Sequence, residues 1–254
     1  MSRIVTFSSL KGGVGKTTCT ILFAEALLAA GHRLLLVDMD PQHSLTTYYR
    51  ALGTVSVGNG DVMSYLDSGA RALQSTTVVQ DRLSLVPGTM RLSSLATDPP
   101  SGRKMRRIIR RLKQLRTSDD YDYVLMDTSP TVSSLSLLTL PVTDYLMVIT
   151  TPEVWSVRAV NLHLENLETQ IKRVGSDLVD VSVVTNAFDS SRRGDQVVLE
   201  AMRDTFPDYL VEPPIPHSKA VANFVLKNRD MARYMAPVRA AVRAIASSRM
   251  GDAL

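Results

Sequence analysis

A chain of 254 residues with 44% apolar residues and a net charge of +4 can bury a sizeable core without covalent staples. Its single cysteine, Cys19, excludes an internal disulfide framework and any multi-cysteine zinc or iron–sulfur site within one chain, and reads as a buried thiol in a reducing, cytoplasmic setting. Residues 1–8 are too short for a signal-peptide core, and no apolar run reaches the ~20 residues of a membrane span, so a soluble protein is expected.

Along the chain, short β-rich runs alternate with helical stretches. Residues 4–7 predict a strand, and 16–30 a helix stopped by Gly31. Residues 34–37 predict a strand apolar throughout, of the kind buried on both faces. Further strands are expected at 83–86, 124–126, 145–149 and 181–184, with helices at 103–116, 157–174, 196–206 and 238–248. The alternation predicts an α/β fold: a mostly parallel twisted sheet with helices on both faces, whose ligand loops lie at the carboxyl ends of the strands. No repeat or long linker divides the chain, and residues 98–102 form only a short loop, so residues 1–254 are expected to be a single domain.

The first strand runs into Lys11-Gly12-Gly13-Val14-Gly15-Lys16-Thr17-Thr18. Glycines let successive backbone N–H groups point at phosphate oxygens, and the following helix adds its positive N-terminal end. In such a loop Lys16 supplies charge to the β- and γ-phosphates of a nucleotide, and the Thr17 hydroxyl can hold Mg²⁺. The ordinary spacing would need glycine at position 10, where this chain has Leu10; instead it carries a second lysine, Lys11, before two glycines. Residues 123–127 (Tyr-Val-Leu-Met-Asp) form an apolar strand ending in a carboxylate, placing Asp127 to hold Mg²⁺ through water.

This loop, with Asp38-Met39-Asp40-Pro41-Gln42 after the second strand, resembles the ParA/MinD family of deviant Walker P-loop ATPases, most of all the ParA/Soj partition ATPases. The resemblance implies that Lys11 reaches across an ATP-bound homodimer to the partner's phosphates, that Asp40 orients the attacking water and that Asp38 lies near the Mg²⁺ shell. It also implies adenine contacts near Asn186 and Pro216. Asp127-Thr128-Ser129-Pro130 keeps only the second of the family's usual two prolines, a mild departure.

The resemblance implies three alternatives for the purpose of hydrolysis. In one, ATP drives dimerisation, the dimer binds DNA without sequence preference, and a ParB-like or adaptor protein stimulates hydrolysis and release; plasmids, chromosomes or carboxysomes are positioned this way, on the nucleoid. In the second, resembling MinD, a C-terminal amphipathic helix is a membrane anchor, but residues 238–248 offer no Phe, Trp or Leu to insert, so no membrane partner is expected. The third is metabolic phosphoryl chemistry of the dethiobiotin-synthetase kind. Two basic surfaces could meet DNA. One comprises Arg192, Arg193 and Lys219, with Lys227 and Arg229. The other is the 103–116 helix: between residues 101 and 118 the chain has eight basic residues and no acid, and without those eight the remainder would carry −4. Ile108, Leu112 and Leu115 should face the core, leaving Arg103, Arg106, Arg107, Arg110 and Arg111 outward, either as a solvated face or as a DNA surface.

Overall fold

The computed structural model describes residues 1–53, 60–68, 77–130, 135–176 and 178–217. Lys219, Lys227, Arg229 and the helix expected over 238–248 lie outside them. In chain order the elements are β1 (Arg3–Ser8), α1 (Lys16–Ala29), β2 (Leu34–Met39), α2 (Ser44–Ala51) and α3 (Val62–Ser68). They are followed by β3 (Thr77–Gln80), β4 (Leu83–Val86), α4 (Ser93–Thr97), α5 (Gly102–Gln114), β5 (Tyr123–Thr128) and α6 (Ser136–Thr139). The series closes with β6 (Tyr145–Thr150), α7 (Ser156–Val174), β7 (Asp180–Thr185), α8 (Arg193–Thr205) and β8 (Leu210–Val211).

The eight strands form one sheet in the order β3-β4-β2-β5-β1-β6-β7-β8. Every neighbouring pair is parallel except β3 with β4. Side chains alternate between the faces of a strand, which explains the layering. Val5, Phe7, Leu34, Leu36, Tyr123 and Leu125 pack with α1 and α2. Ile4, Leu35, Val37, Val124 and Met126 pack with α3 and α5 on the opposite face. Toward the other edge, Leu146, Val148 and Val183 join residues of α7 and α8. With both faces covered, the central strands are mostly apolar on both sides, and residues 34–37 of β2 are apolar throughout, as expected.

Each strand and helix expected within the described residues is present, its ends coinciding or shifted by at most three residues. In α5, Ile108 and Leu112 are buried, Leu115 follows in a 3₁₀ turn, and Met105 and Ile109 flank them. Seven of the eight basic residues around this helix fall into two groups. Arg111 donates to the Leu66 carbonyl, and the Arg111 carbonyl accepts from the Tyr65 hydroxyl at 2.7 Å. Arg116 pairs with Asp144 at 2.8 Å and donates to the Val142 carbonyl at 2.9 Å. Those two arginines fasten the helix to its neighbours, so Arg111 does not belong to the free outward face. Arg103, Lys104, Arg106, Arg107 and Arg110 are exposed, and none pairs with a carboxylate among the described residues.

On α7, His163 is 2% exposed; a 2.7 Å hydrogen bond joins its Nε2 to Ser8 Oγ, while its Nδ1 has no partner. Burial pushes the imidazole pKa down to about 4, so the folded ring is neutral where the unfolded ring takes up a proton. A depressed histidine pKa gives stability that is present above pH 6.5 and lost as pH falls toward 4. Between pH 7 and pH 5 this group should remove about 2 kcal/mol of folding stability. Urea titrations of the parent and a His163→Gln variant check this: the loss attributable to residue 163 should disappear in the variant.

Candidate nucleotide site

The site assembles at the carboxyl ends of β1, β2 and β5 because the parallel register places Phe7 and Asp38 on either side of Asp127. From β1 the chain enters the glycine loop, and α1 begins at Lys16, directly after Gly15. Gly15 is required twice over. Its φ of 84° lies in the left-handed region, and an added Cβ would fall 2.3 Å from Asn186 Nδ2. The same Nδ2 donates to the Val14 carbonyl at 2.8 Å, so Asn186 steadies the loop from the end of β7. Pro216 forms a bridge with Phe188 just beyond that strand.

Beneath the loop, Asp127 is fully buried. It accepts from Lys16 Nζ at 3.3 Å, Thr17 Oγ1 at 2.6 Å and Thr20 Oγ1 at 3.5 Å. Burial raises its pKa, opposed by the Lys16 charge and the Thr17 hydrogen bond. Asp38 is also fully buried, and its pKa is pushed up to about 7 by desolvation, with Asp127 adding repulsion. Its Oδ2 accepts from the Thr46 N–H at 2.9 Å and hydroxyl at 2.6 Å; its Oδ1 accepts from the Asp40 N–H at 3.3 Å. Asp38 is therefore held by protein donors, one strand away from the Thr17–Asp127 pair. Asp40, mostly buried, accepts from the Gln42 N–H at 2.9 Å.

Lys11 stands apart, more than half exposed, with Nζ 2.5 Å from Glu153 Oε2. Glu153 follows β6, and its pKa is lowered by the hydrogen bonds from Lys11 and Thr151. Beside them opens a cleft of about 150 Å³, lined by Leu10, Val14, Trp155 and His163 among others. Val154 and Trp155 are exposed at its rim. An added Cβ at Gly12 would meet only Pro130, at 3.9 Å, so the chain itself tolerates a side chain there.

The structure thus brings Lys16, Thr17, Asp38, Asp40 and Asp127 to one place and sets Gly12, Gly13 and Lys11 at its rim. Arg192 and Arg193 lie elsewhere, at the start of α8, where Arg192 is paired with Asp189 at 3.2 Å. Glu153, Thr46 and Gly88 also border the site, though no sequence motif marks them. Glu153 lies three residues beyond β6, whereas Asp38 and Asp127 are strand residues; the partners that place Thr46 and Gly88 at the site lie 8 and 42 residues from Thr46 in the sequence.

A glycine loop feeding a helix N-terminus, over a buried lysine–aspartate–threonine cluster, defines a P-loop nucleotide-binding protein. Residues 2–179 match the family described as AAA domain. The sporulation initiation inhibitor protein Soj of Bacillus subtilis is 25% identical over 230 residues, covering 86% of this chain and 85% of Soj. The maintenance of carboxysome distribution protein A of Synechococcus elongatus is 32% identical over 165 residues, 65% of this chain and 63% of that protein. The fold matches that of the Cyanothece McdA–ATP complex, with a TM-score of 0.82 at 19% identity over 97% of this chain and 95% of that one. The chain belongs to the AAA-domain family, within it to the ParA-family P-loop partition ATPases.

Replacing Gly15 with Ala should lower the thermal midpoint by several degrees, since a left-handed non-glycine residue costs about 1 kcal/mol before the Asn186 clash is counted. The same variant should lose affinity for a fluorescent ATP analogue. A melt and a titration matching the parent would show that Asn186 and the loop relax freely.

Proposed function

We propose that the protein is an ATPase that dimerises on ATP, binds DNA without sequence preference and positions or segregates a cargo. We further propose that residues 1–254 act as one domain. The observation that carries this reading is the division between two lysines: Lys16 buried on Asp127 inside the loop, Lys11 exposed at its rim. Lys16 neutralises the terminal phosphates of the chain's own nucleotide, while Lys11, exposed and paired with Glu153, can exchange that carboxylate for the phosphates of a second copy.

The Thr17 hydroxyl and Asp127 carboxylate, 2.6 Å apart, are hard oxygen ligands that suit Mg²⁺ with its retained waters. When bound there, the ion supplies charge neutralisation between the phosphates. Asp40 orients the attacking water, Asp38 holds the segment that carries Asp40, and Asn186 and Pro216 border the adenine. Phosphoryl transfer depends mostly on such positioning and charge balance. A ParB-like or adaptor protein stimulates hydrolysis. The charge on the outer face of α5 supports DNA as the surface, which would associate the protein with the nucleoid. Among the described residues no helix is long and apolar enough to cross a membrane.

Gly12→Val tests the dimer. The variant should bind ATP yet remain monomeric by light scattering with ATP and Mg²⁺, because a Cβ fits within the chain but not against a partner backbone. Normal dimerisation of the variant would exclude the crossing role of Lys11. Replacing Arg106 and Arg110 together with Ala tests the DNA surface. Each lost phosphate contact should make the slope of log K against log salt shallower by about 0.9, so roughly two units for the pair, similarly on all sequences. An unchanged slope, with an unchanged melt, would move the surface to Arg192, Arg193 and Lys219.

A further inference from the structure

The start of α2 is held in an unusual way. Its N-cap residue, His43, has a left-handed backbone (φ 43°) and makes no side-chain cap hydrogen bond. The N–H of the third helical residue, Thr46, donates instead to Asp38 at the end of β2, so a carboxylate eight residues away performs the capping role. The Thr46 hydroxyl is used in both directions: it donates to the same Asp38 oxygen at 2.6 Å and accepts from the Gly88 N–H at 2.7 Å. Gly88 closes the arrangement, because an added Cβ would lie 2.6 Å from Asp38 Cγ. Thr46 is fully buried, so neither of its hydrogen bonds can be replaced by solvent.

We propose that Thr46 is a positioning residue for nucleotide hydrolysis: by clamping Asp38 between α2 and the loop after β4, it fixes the 38–46 segment and with it Asp40. The clamp joins β2, α2 and the loop after β4 through one hydroxyl. Asp40 lies inside the fixed segment, its N–H on Asp38 and its carboxylate on the Gln42 N–H. Among the described residues Thr46 makes no hydrogen bond with Lys16, Thr17 or Asp127, so it reaches the site only through Asp38. A side chain that cannot both donate and accept leaves the Gly88 N–H and the Asp38 carboxylate short of a partner, and the segment can then shift. This inference rests on the ATPase reading above.

Three variants test it: Thr46→Val, which keeps the shape and removes the hydroxyl, Thr46→Ser, which keeps the hydroxyl, and Asp40→Ala, which sets the floor for hydrolysis. Thr46→Val should slow single-turnover ATP hydrolysis by about tenfold or more, the consequence of losing hydrogen bonds to a buried charged group. Its affinity for an ATP analogue with Mg²⁺ should stay within about threefold of the parent, since the phosphate loop is untouched. Amide exchange at Gly88 should accelerate in Thr46→Val and remain slow in Thr46→Ser, which should also restore hydrolysis. Parent-like hydrolysis in Thr46→Val, or a Thr46→Ser variant as slow as Thr46→Val, would overturn the proposal. So would slowed hydrolysis with exchange at Gly88 unchanged. If Thr46→Val does not fold, Thr46→Ala against Thr46→Ser makes the same comparison. A parent that hydrolyses no ATP would refute the ATPase reading instead, and exchange at Gly88 would still decide whether the clamp exists.

Discussion

A carboxylate with no exposed surface must be compensated where it stands, and Asp127 is such a group at the centre of the sheet. Its partners, Lys16 and Thr17, are the first two residues of α1, so satisfying the charge fixes how the glycine loop enters the helix. Removing one member of a buried pair of this kind typically costs about 3–5 kcal/mol, because the other charge is left stranded. The same requirement leaves the loop shaped for phosphate before any ligand arrives. A binding site organised by its own internal charge loses little conformational entropy when the nucleotide enters.

That compensation depends in turn on the sheet. Phe7, Asp38 and Asp127 stand in register at the ends of three adjacent parallel strands whose other side chains are mostly apolar on both faces. The cost of burying two carboxylates side by side is visible in their raised pKa values, and it is offset by a short list of donors: Lys16, Thr17, Thr20, Thr46 and backbone N–H groups. Core burial supplies the stability that lets the strand ends hold these charges in strained proximity.

The parts of this arrangement that the sequence discloses are those whose chemistry is local. Glycines and lysines within eight residues announce a phosphate loop, and unbroken apolar runs announce buried strands. The spacing of Ile108, Leu112 and Leu115 gives the inner face of α5. Short elements with weaker local signals are not legible in this way: the antiparallel edge strand β3, the two-residue β8, and the short helices α2, α3, α4 and α6. At the site, strand-end carboxylates could be named from the sequence, whereas the Thr46–Gly88 clamp joins residues 42 apart and depends on which strands are neighbours. In the same way, the uniform run of basic residues around α5 conceals that Arg111 and Arg116 serve the fold while others face outward.

The chain's one tryptophan, Trp155, stands two residues beyond Glu153 with 73% of its surface exposed, against the cleft that borders Lys11. Indole emission responds to local polarity and to nearby charge, and no second tryptophan contributes background. The molecule therefore carries an intrinsic optical reporter at the rim of its nucleotide site. Any event that shields this rim or moves Lys11 away from Glu153 would change the colour and intensity of that emission, so encounters at this face can be followed in real time without attaching a dye.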